Sequence, residues 1–459
     1  MSQSSTPAVA DAIYDASSLG RPRMFLLGLQ HLFAMFGATV LVPVLTGLSV
    51  SATLLFAGLG TLLFHFLSRG KVPAFLGSSF AFIAGYAAIA PNGEAELLPY
   101  ACLGVACAGL LYPVLAALFR AFGAKRVMRF FPPVVTGPIV ISIGLILASS
   151  AIANCQTNWL VAVIAVAVIV ICNIWGRGMV KIVPILLGVV VSYTVAAALG
   201  EVDFSGVAAA PWVGLPIVWD NTVFALFGPQ FDSGLATTAI ITIMPLAFAT
   251  MIEHIGDISA IGSTCERNYI ADPGLHRTLT GDGLATAFAG MFGGPANTTY
   301  GENTGVLELS KVHDPKVIRI AAVYAIILSF IPKMAEVIGS MPSAIIGGVS
   351  FMLYGMISAI GVRNVVENRV DFTKSRNLII AGVIFVCGLG FSDGLTFNVA
   401  NTDITLTSLA IAAIAGIVLN AILPGNDYHF GKNAGGDANR GIDMIPNFNE
   451  DTRYGDNED

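Results

Sequence analysis

Asn297-Thr298-Thr299-Tyr300-Gly301-Glu302-Asn303-Thr304-Gly305 is the stretch on which the reading of this chain turns. It lies in a segment apolar enough to enter a membrane, yet it holds an acid, two asparagines and two glycines. Asn and Thr ahead of Gly read as an unwound, extended piece that opens a short helix, and Pro295 just upstream supports a break. N–H groups at the start of such a helix lack intrahelical acceptors and can meet the carbonyl oxygens of a ligand. The other reading is a bent helix whose hydroxyls bond back to its own carbonyls. An ionised carboxylate at mid-bilayer costs roughly 2.5–3.5 kcal/mol on insertion scales, so Glu302 is expected to face a cavity, hold a partner or carry a proton.

Two further acids sit in Ile252-Glu253-His254-Ile255-Gly256-Asp257. Glu253 and Asp257 are one helical turn apart and share a face. They read as a substrate acceptor beside a proton-linked acid, or else as a satisfied contact between helices. His254 projects off that face and reads as a packing or hydrogen-bonding residue, which also argues against a metal set of Glu253, His254 and Asp257. An earlier counterpart to the broken acidic stretch is Gly77-Ser78-Ser79-Phe80, after Pro73. Its backbone, at Ser79 and Phe80, would offer donors from the opposite side. Phe80 and Tyr300 flank the two breaks, and aromatic faces beside carboxylates suit a planar heterocycle.

Composition places these residues in a bilayer. Of 459 residues, 55% are hydrophobic and 11% charged, and the mean hydropathy is +0.77. A soluble domain carries about a quarter charged residues. The 49 glycines suit close helix packing and interrupted helices. The six cysteines show no ligand spacing and no disulfide pattern, so no cofactor or metal is expected. No P-loop, HExxH or GxSxG is present, and neither a membrane enzyme nor a nucleic-acid partner is indicated.

Apolar runs divide the chain into fourteen segments, near 24–46, 51–68, 74–90, 97–119, 130–152, 157–175, 179–199, 235–262, 279–293, 299–310, 316–338, 343–362, 376–391 and 402–423. Lys and Arg cluster in alternate loops: Arg69 and Lys71, Arg120 to Arg129, Arg177 and Lys181, Arg267 and Arg277, Lys311 and Lys316, Arg363 to Arg376. Acids such as Glu94, Glu201, Asp203 and Asp232 occupy the others. This bias predicts both termini in the cytoplasm. The expected organisation is a cytoplasmic segment at 1–23, a first seven-span repeat at 24–200, a second at 235–423, and a soluble cytoplasmic tail at 424–459. The broken third and tenth segments correspond, and Gln30-His31 precedes Phe80 much as Glu253-His254 precedes Glu302. Seven plus seven spans of opposite orientation is an inverted repeat, and paired interrupted segments point to a midplane site. The fold class is thus an all-α polytopic membrane protein with short extended stretches in segments three and ten.

On these residues the chain resembles the nucleobase–ascorbate transporter family, the nucleobase:cation symporters, from about Arg23 to Leu423. Gln30-His31 matches the family's first-span pair, and Glu302-Asn303-Thr304-Gly305-Val306-Leu307-Glu308-Leu309-Ser310-Lys311 its tenth-span signature. The stretches Leu29–Ala38 and Asn297–Asn303 look most like bacterial uracil permeases. The resemblance implies a core domain (spans one to four and eight to eleven), a gate domain (five to seven and twelve to fourteen), and a homodimer with an elevator-like motion. It implies that Glu253 and Glu302 bind the base, that Phe80 and Gly301 offer backbone groups, and that Tyr300 packs on the ring. Tyr354 would line the gate side, and Gln30, His31 and Asn303 would support the site. Asp257 stands where similar uracil permeases carry His and other branches carry Asp. The function expected is proton-coupled uptake of a nucleobase, uracil first, by alternating access. Asp257, Glu253 and Glu302 would couple the proton, with sodium the other candidate ion. Alternatives are a xanthine or urate symporter and an uncoupled facilitator or channel.

Overall fold

The computed structural model describes residues 12–228, 231–392, 394–399, 402–426 and 428. Helices dominate, because where lipid surrounds the chain each backbone polar group must be satisfied internally. In chain order come α1 (Arg21–Thr46), α2 (Val50–Leu67), β1 (Leu76–Ser78), α3 (Ile83–Ile89), α4 (Leu98–Phe122), α5 (Ala124–Met128), α6 (Pro133–Cys155), α7 (Trp159–Trp175), α8 (Met179–Ile182), α9 (Pro184–Ala198) and α10 (Ser205–Ala209). There follow α11 (Ser233–Ile243), α12 (Ala247–Thr264), α13 (Leu275–Met291), β2 (Asn297–Thr299), α14 (Gly301–Ser310), α15 (Pro315–Ser329), α16 (Pro332–Gly339), α17 (Ser343–Glu367), α18 (Ser375–Gly390), β3 (Leu395–Val399), β4 (Thr402–Leu406) and α19 (Ser408–Ile422). Among the described residues, six helical stretches are long and apolar enough to cross a membrane, seven if the bent pair α15–α16 counts as one span. The protein is an integral, multi-pass membrane protein.

Each expected segment contains a helix, but proline breaks several of them. The segment expected at 316–338 is two helices, α15 and α16, bent by 85° before Pro332. The one expected at 179–199 splits at Pro184 into α8 and α9, and the one at 235–262 carries a 3-10 turn, Met244–Leu246, around Pro245. Proline lacks an N–H and clashes with the preceding turn. The segment expected at 402–423 begins as a strand. β3 and β4 form an antiparallel hairpin, from Leu395↔Leu406 to Val399↔Thr402. The run Thr402 to Leu406 is rich in β-branched residues, which favour strand, and α19 starts only at Ser408, where Thr407 caps it through Ala410 N–H. The chain expected to form an N-terminal segment to residue 23 enters α1 at Arg21. Of the expected tail, residues 424–426 and 428 are described.

Two groups of helices pack among themselves. α1, α2, α4, α13 and α15 form one, with α14 between α1 and α12; α6, α7, α9, α17, α18 and α19 form the other. Where α4 crosses α13, a Cβ built on Gly109 or Gly283 would lie 2.6 Å from the other's carbonyl oxygen, so the crossing requires both glycines. The Lys71–Asp272 ion pair, Arg277 Nη1 donating to Leu67 O at 3.5 Å, and the Ile13–Val312 bridge gather the N-terminal segment and the loops after α2, α12 and α14 at one end. Asn158 Nδ2 donating to Glu201 Oε1 at 2.6 Å lies in the loops of the opposite end.

Candidate functional site

The two broken segments meet. β1 and β2 pair antiparallel, Leu76↔Thr299, Gly77↔Thr298 and Ser78↔Asn297, and all six residues are buried. A two-stranded pair inside a bilayer has two open edges, and its free N–H and C=O groups would cost several kcal/mol each in lipid. Two threonine hydroxyls close them. Thr61 Oγ1 on α2 accepts from Leu76 N at 2.9 Å and donates to Leu76 O at 3.3 Å. Thr286 Oγ1 on α13 accepts from Asn297 N at 3.2 Å and donates to Asn297 O at 2.9 Å. Ser79 N donating to Ala296 O at 2.8 Å and Tyr300 N donating to Phe75 O at 3.0 Å extend the ladder at its ends. The Tyr300 hydroxyl donates to Ser78 O at 2.8 Å, and its ring covers Gly77, where a Cβ would fall 2.4 Å from the ring carbons. Tyr300 therefore holds β1 against α14 and has only its ring left to serve as a wall.

Half-helices leave opposite ends of this strand pair with their N-termini toward it. α14 starts at Gly301 and the 3-10 turn Phe80–Phe82 leads into α3; neither has a side-chain cap. The first-turn N–H groups and positive dipole ends converge on one region. Gly301, Glu302 and Gly305 are exposed although Tyr300, Asn303 and Val306 beside them are buried, so protein leaves this face of α14 uncovered. Gly256 on α12 and Gly355 on α17 are exposed as well. A Cβ on Gly301 would meet nothing nearer than Asp257 Oδ1, at 3.8 Å. Glu253 and Asp257 are half-buried on α12, and the three carboxyls act on one another electrostatically.

A second layer lies behind them. Thr299 Oγ1 donates to Asp257 Oδ2 at 3.3 Å and lies 3.2 Å from His254 Nδ1. His254 Nδ1 is also 3.2 Å from Asp282 Oδ2, with both side chains wholly buried. Asp282, on α13, is the residue that reading along the chain missed. Its signal was present, since an acid in Thr280-Gly281-Asp282-Gly283 within an apolar segment meets the criterion that singled out Glu302. Asn303 Nδ2 lies 3.1 Å from His31 Nδ1 and donates to His31 O at 3.1 Å, tying α14 to α1. Gln30 is half-buried beside it. Phe80 meets Tyr354 of α17 edge-on, with ring centroids 6.1 Å apart. Among the described residues, the hydroxyls of Ser79, Thr298 and Thr304 are buried without a partner.

The pattern for the Permease family matches residues 22–396. The chain belongs to this family, the nucleobase–ascorbate transporters. It is 41% identical over 408 residues to the uracil permease of Bacillus caldolyticus, covering 87% of this chain and 91% of that one. The Escherichia coli K12 uracil permease is 39% identical over 407 residues, with 86% and 90% covered. Among solved structures, the transmembrane domain of the cyanobacterial bicarbonate transporter BicA superposes with a TM-score of 0.62 at 16% identity, covering 83% of this chain and 98% of that one. Murine solute carrier 26 family member A9, an anion transporter, gives 0.59 at 11% identity, with 92% and 73% covered. These two establish a shared membrane-transporter fold. The protein is a permease and not an enzyme.

Proposed function

We propose that this permease takes up uracil together with a proton across the bacterial inner membrane by alternating access. The observation that carries the reading is the uncovered, uncapped start of α14, where Glu302 neighbours Glu253 and Asp257 of α12. Uracil presents two N–H donors and two carbonyl acceptors in one plane. Glu253 and Glu302 accept from the N–H edge, and backbone N–H groups at Gly301 and Phe80 donate to the carbonyls. Tyr300, Ser79 and Tyr354 wall the ring. Three neighbouring carboxyls resist joint ionisation, so one holds a proton that substrate and carrier move together. A proton moving down 100 mV supplies about 2.3 kcal/mol. The uracil permeases at 39–41% identity support this substrate.

In this reading the segments make fourteen crossings as a seven-plus-seven inverted repeat, with both termini in the cytoplasm. The matched clamps of Thr61 on Leu76 and Thr286 on Asn297 support the internal symmetry. The group holding α1–α4 and α11–α15 is the core, and it moves against a gate of α6–α9 and α17–α19, within a homodimer. Asp257 favours one second reading, a purine such as xanthine. The test is radiolabelled uracil uptake into proteoliposomes under an imposed pH gradient, with xanthine as competitor and an uncoupler as control. Glu302→Gln keeps the protein folded but puts a donor in front of a substrate donor, and uptake is expected to fall at least about a hundred-fold, the size of two lost charged hydrogen bonds. Near-normal uptake by Glu302→Gln would remove this residue from the site. Uptake indifferent to the uncoupler would replace symport by a facilitator.

A further inference from the structure

A cavity of about 460 Å³ opens away from the substrate site, between the ends of α4 and α5 and the faces of α12 and α19. Leu118, Phe122 and Phe131 form one wall, and Phe248 and Ile417 the other. Among the described residues, Arg126 is its one charged lining residue, and it is exposed. No acid lines the cavity, and Arg126 has no ion-pair partner among the described residues. Leu118 (42% exposed), Phe122 (53%) and Phe130 (48%) face outward at the mouth. In a membrane protein such residues face acyl chains. Arg120 and Arg129, both exposed, flank Arg126 at the same end of the bundle.

We propose that this crevice binds one anionic phospholipid, an acyl chain entering between Phe131, Phe248 and Ile417 and the phosphate resting on Arg126. Two features argue for that occupant. The lining is apolar except for one guanidinium, which matches an amphiphile with an anionic head and fits neither a nucleobase nor a solvated ion. The guanidinium sits at the basic end of a bundle whose apolar surface is immersed in lipid, where Arg pairs with phosphate and each such cation contributes about a five-fold preference for an anionic surface. The site joins α4 and α12 of one helix group to α19 of the other, so a bound lipid bears on the packing between the groups.

The test is lipid retention by the intact protein. Purified permease is stripped in detergent and titrated with phosphatidylglycerol or phosphatidylcholine, and bound lipid is counted by native mass spectrometry. The wild type is expected to hold one phosphatidylglycerol about five-fold more tightly than phosphatidylcholine. Arg126→Gln removes that preference, while Leu118→Trp, which fills the mouth and keeps the charge, weakens both lipids. Unchanged uracil binding by both variants shows that they are folded and keeps this result separate from the substrate reading. Equal retention of the two lipids by the wild type, or retention by Arg126→Gln and Leu118→Trp equal to wild type, overturns the proposal.

Discussion

Thr286→Val tests whether the strand pair at the site is held by the two threonine hydroxyls. Val keeps the shape of Thr and deletes the oxygen. That oxygen now serves both Asn297 N at 3.2 Å and Asn297 O at 2.9 Å, and Thr286 and Asn297 are 0% and 1% exposed. Losing it strands one buried donor and one buried acceptor, each worth about 1–3 kcal/mol. Relaxation of β2 recovers part of this, so the expected loss is about 2–4 kcal/mol. Thr286→Ser keeps the oxygen and loses one buried methyl, a cost of about 1 kcal/mol. The same ordering is expected for Thr61→Val and Thr61→Ser, because Thr61 serves Leu76 N and O in the same way. The assay is reversible unfolding in mixed micelles, with uracil binding measured on the folded fraction. Because β2 leads directly into Gly301, the Val variants should also bind uracil more weakly. If Thr286→Val costs no more than Thr286→Ser, the hydroxyl does not clamp the edge and the argument fails.

Four shorter predictions follow from the same geometry. Gly77→Ala places a methyl 2.4 Å from the Tyr300 ring and 2.8 Å from Thr39 Oγ1; it should cost about 1–3 kcal/mol, and much less in a Tyr300→Ala background, as a double-mutant cycle would read. Asp257→Asn should flatten the rise of uptake toward low external pH while sparing uracil binding more than Glu253→Gln does; an unchanged pH profile would move coupling to Glu253 or Glu302. Asp282→Ala leaves His254 Nδ1 with Thr299 Oγ1, at 3.2 Å, in place of its carboxylate in a fully buried site and should cost about 1 kcal/mol in the same unfolding assay, against a near-neutral result if the pair is idle. The N-terminal strap is held by Ile13 N–H on Lys311 O, Ala16 N–H on Asp314 Oδ2 and the Lys316 ammonium on Asp15, all between 2.8 and 2.9 Å. Lys316, then Ser17, hold the Asp15 carboxyl down to about 2; a depressed carboxyl adds stability above its unfolded value of about 3.9 and loses it as pH falls toward 2. Protection factors at Ile13 and Ala16, that is, exchange corrected for its intrinsic pH dependence, should therefore be flat from pH 5 to 8 and fall only below about pH 4.

The membrane class, the approximate position of the long helices and the acidic face of α12 were legible along the chain. Each depends on solvent preference or on a spacing of a few residues. Glu253 and Asp257 share a face because a helix turns every 3.6 residues, whatever surrounds them. The breaks at Gly77-Ser78-Ser79 and Asn297-Thr298-Thr299 were legible for a similar reason, since proline and glycine act on their own backbone. Averaged hydropathy misled at Thr402–Leu406, where the β-branched Thr402, Ile404 and Thr405 form one strand of a hairpin instead of the start of α19. Tertiary structure alone decided that the two breaks pair with each other, in which register, and that Thr61 and Thr286 close their edges. It alone brought Asp282 to His254 and the N-terminal strap to Lys311–Lys316. Those contacts join residues such as Ser78 and Tyr300, 222 positions apart. No local preference encodes such a partner; it follows only from the need of each buried polar group, in a medium without water, to find one.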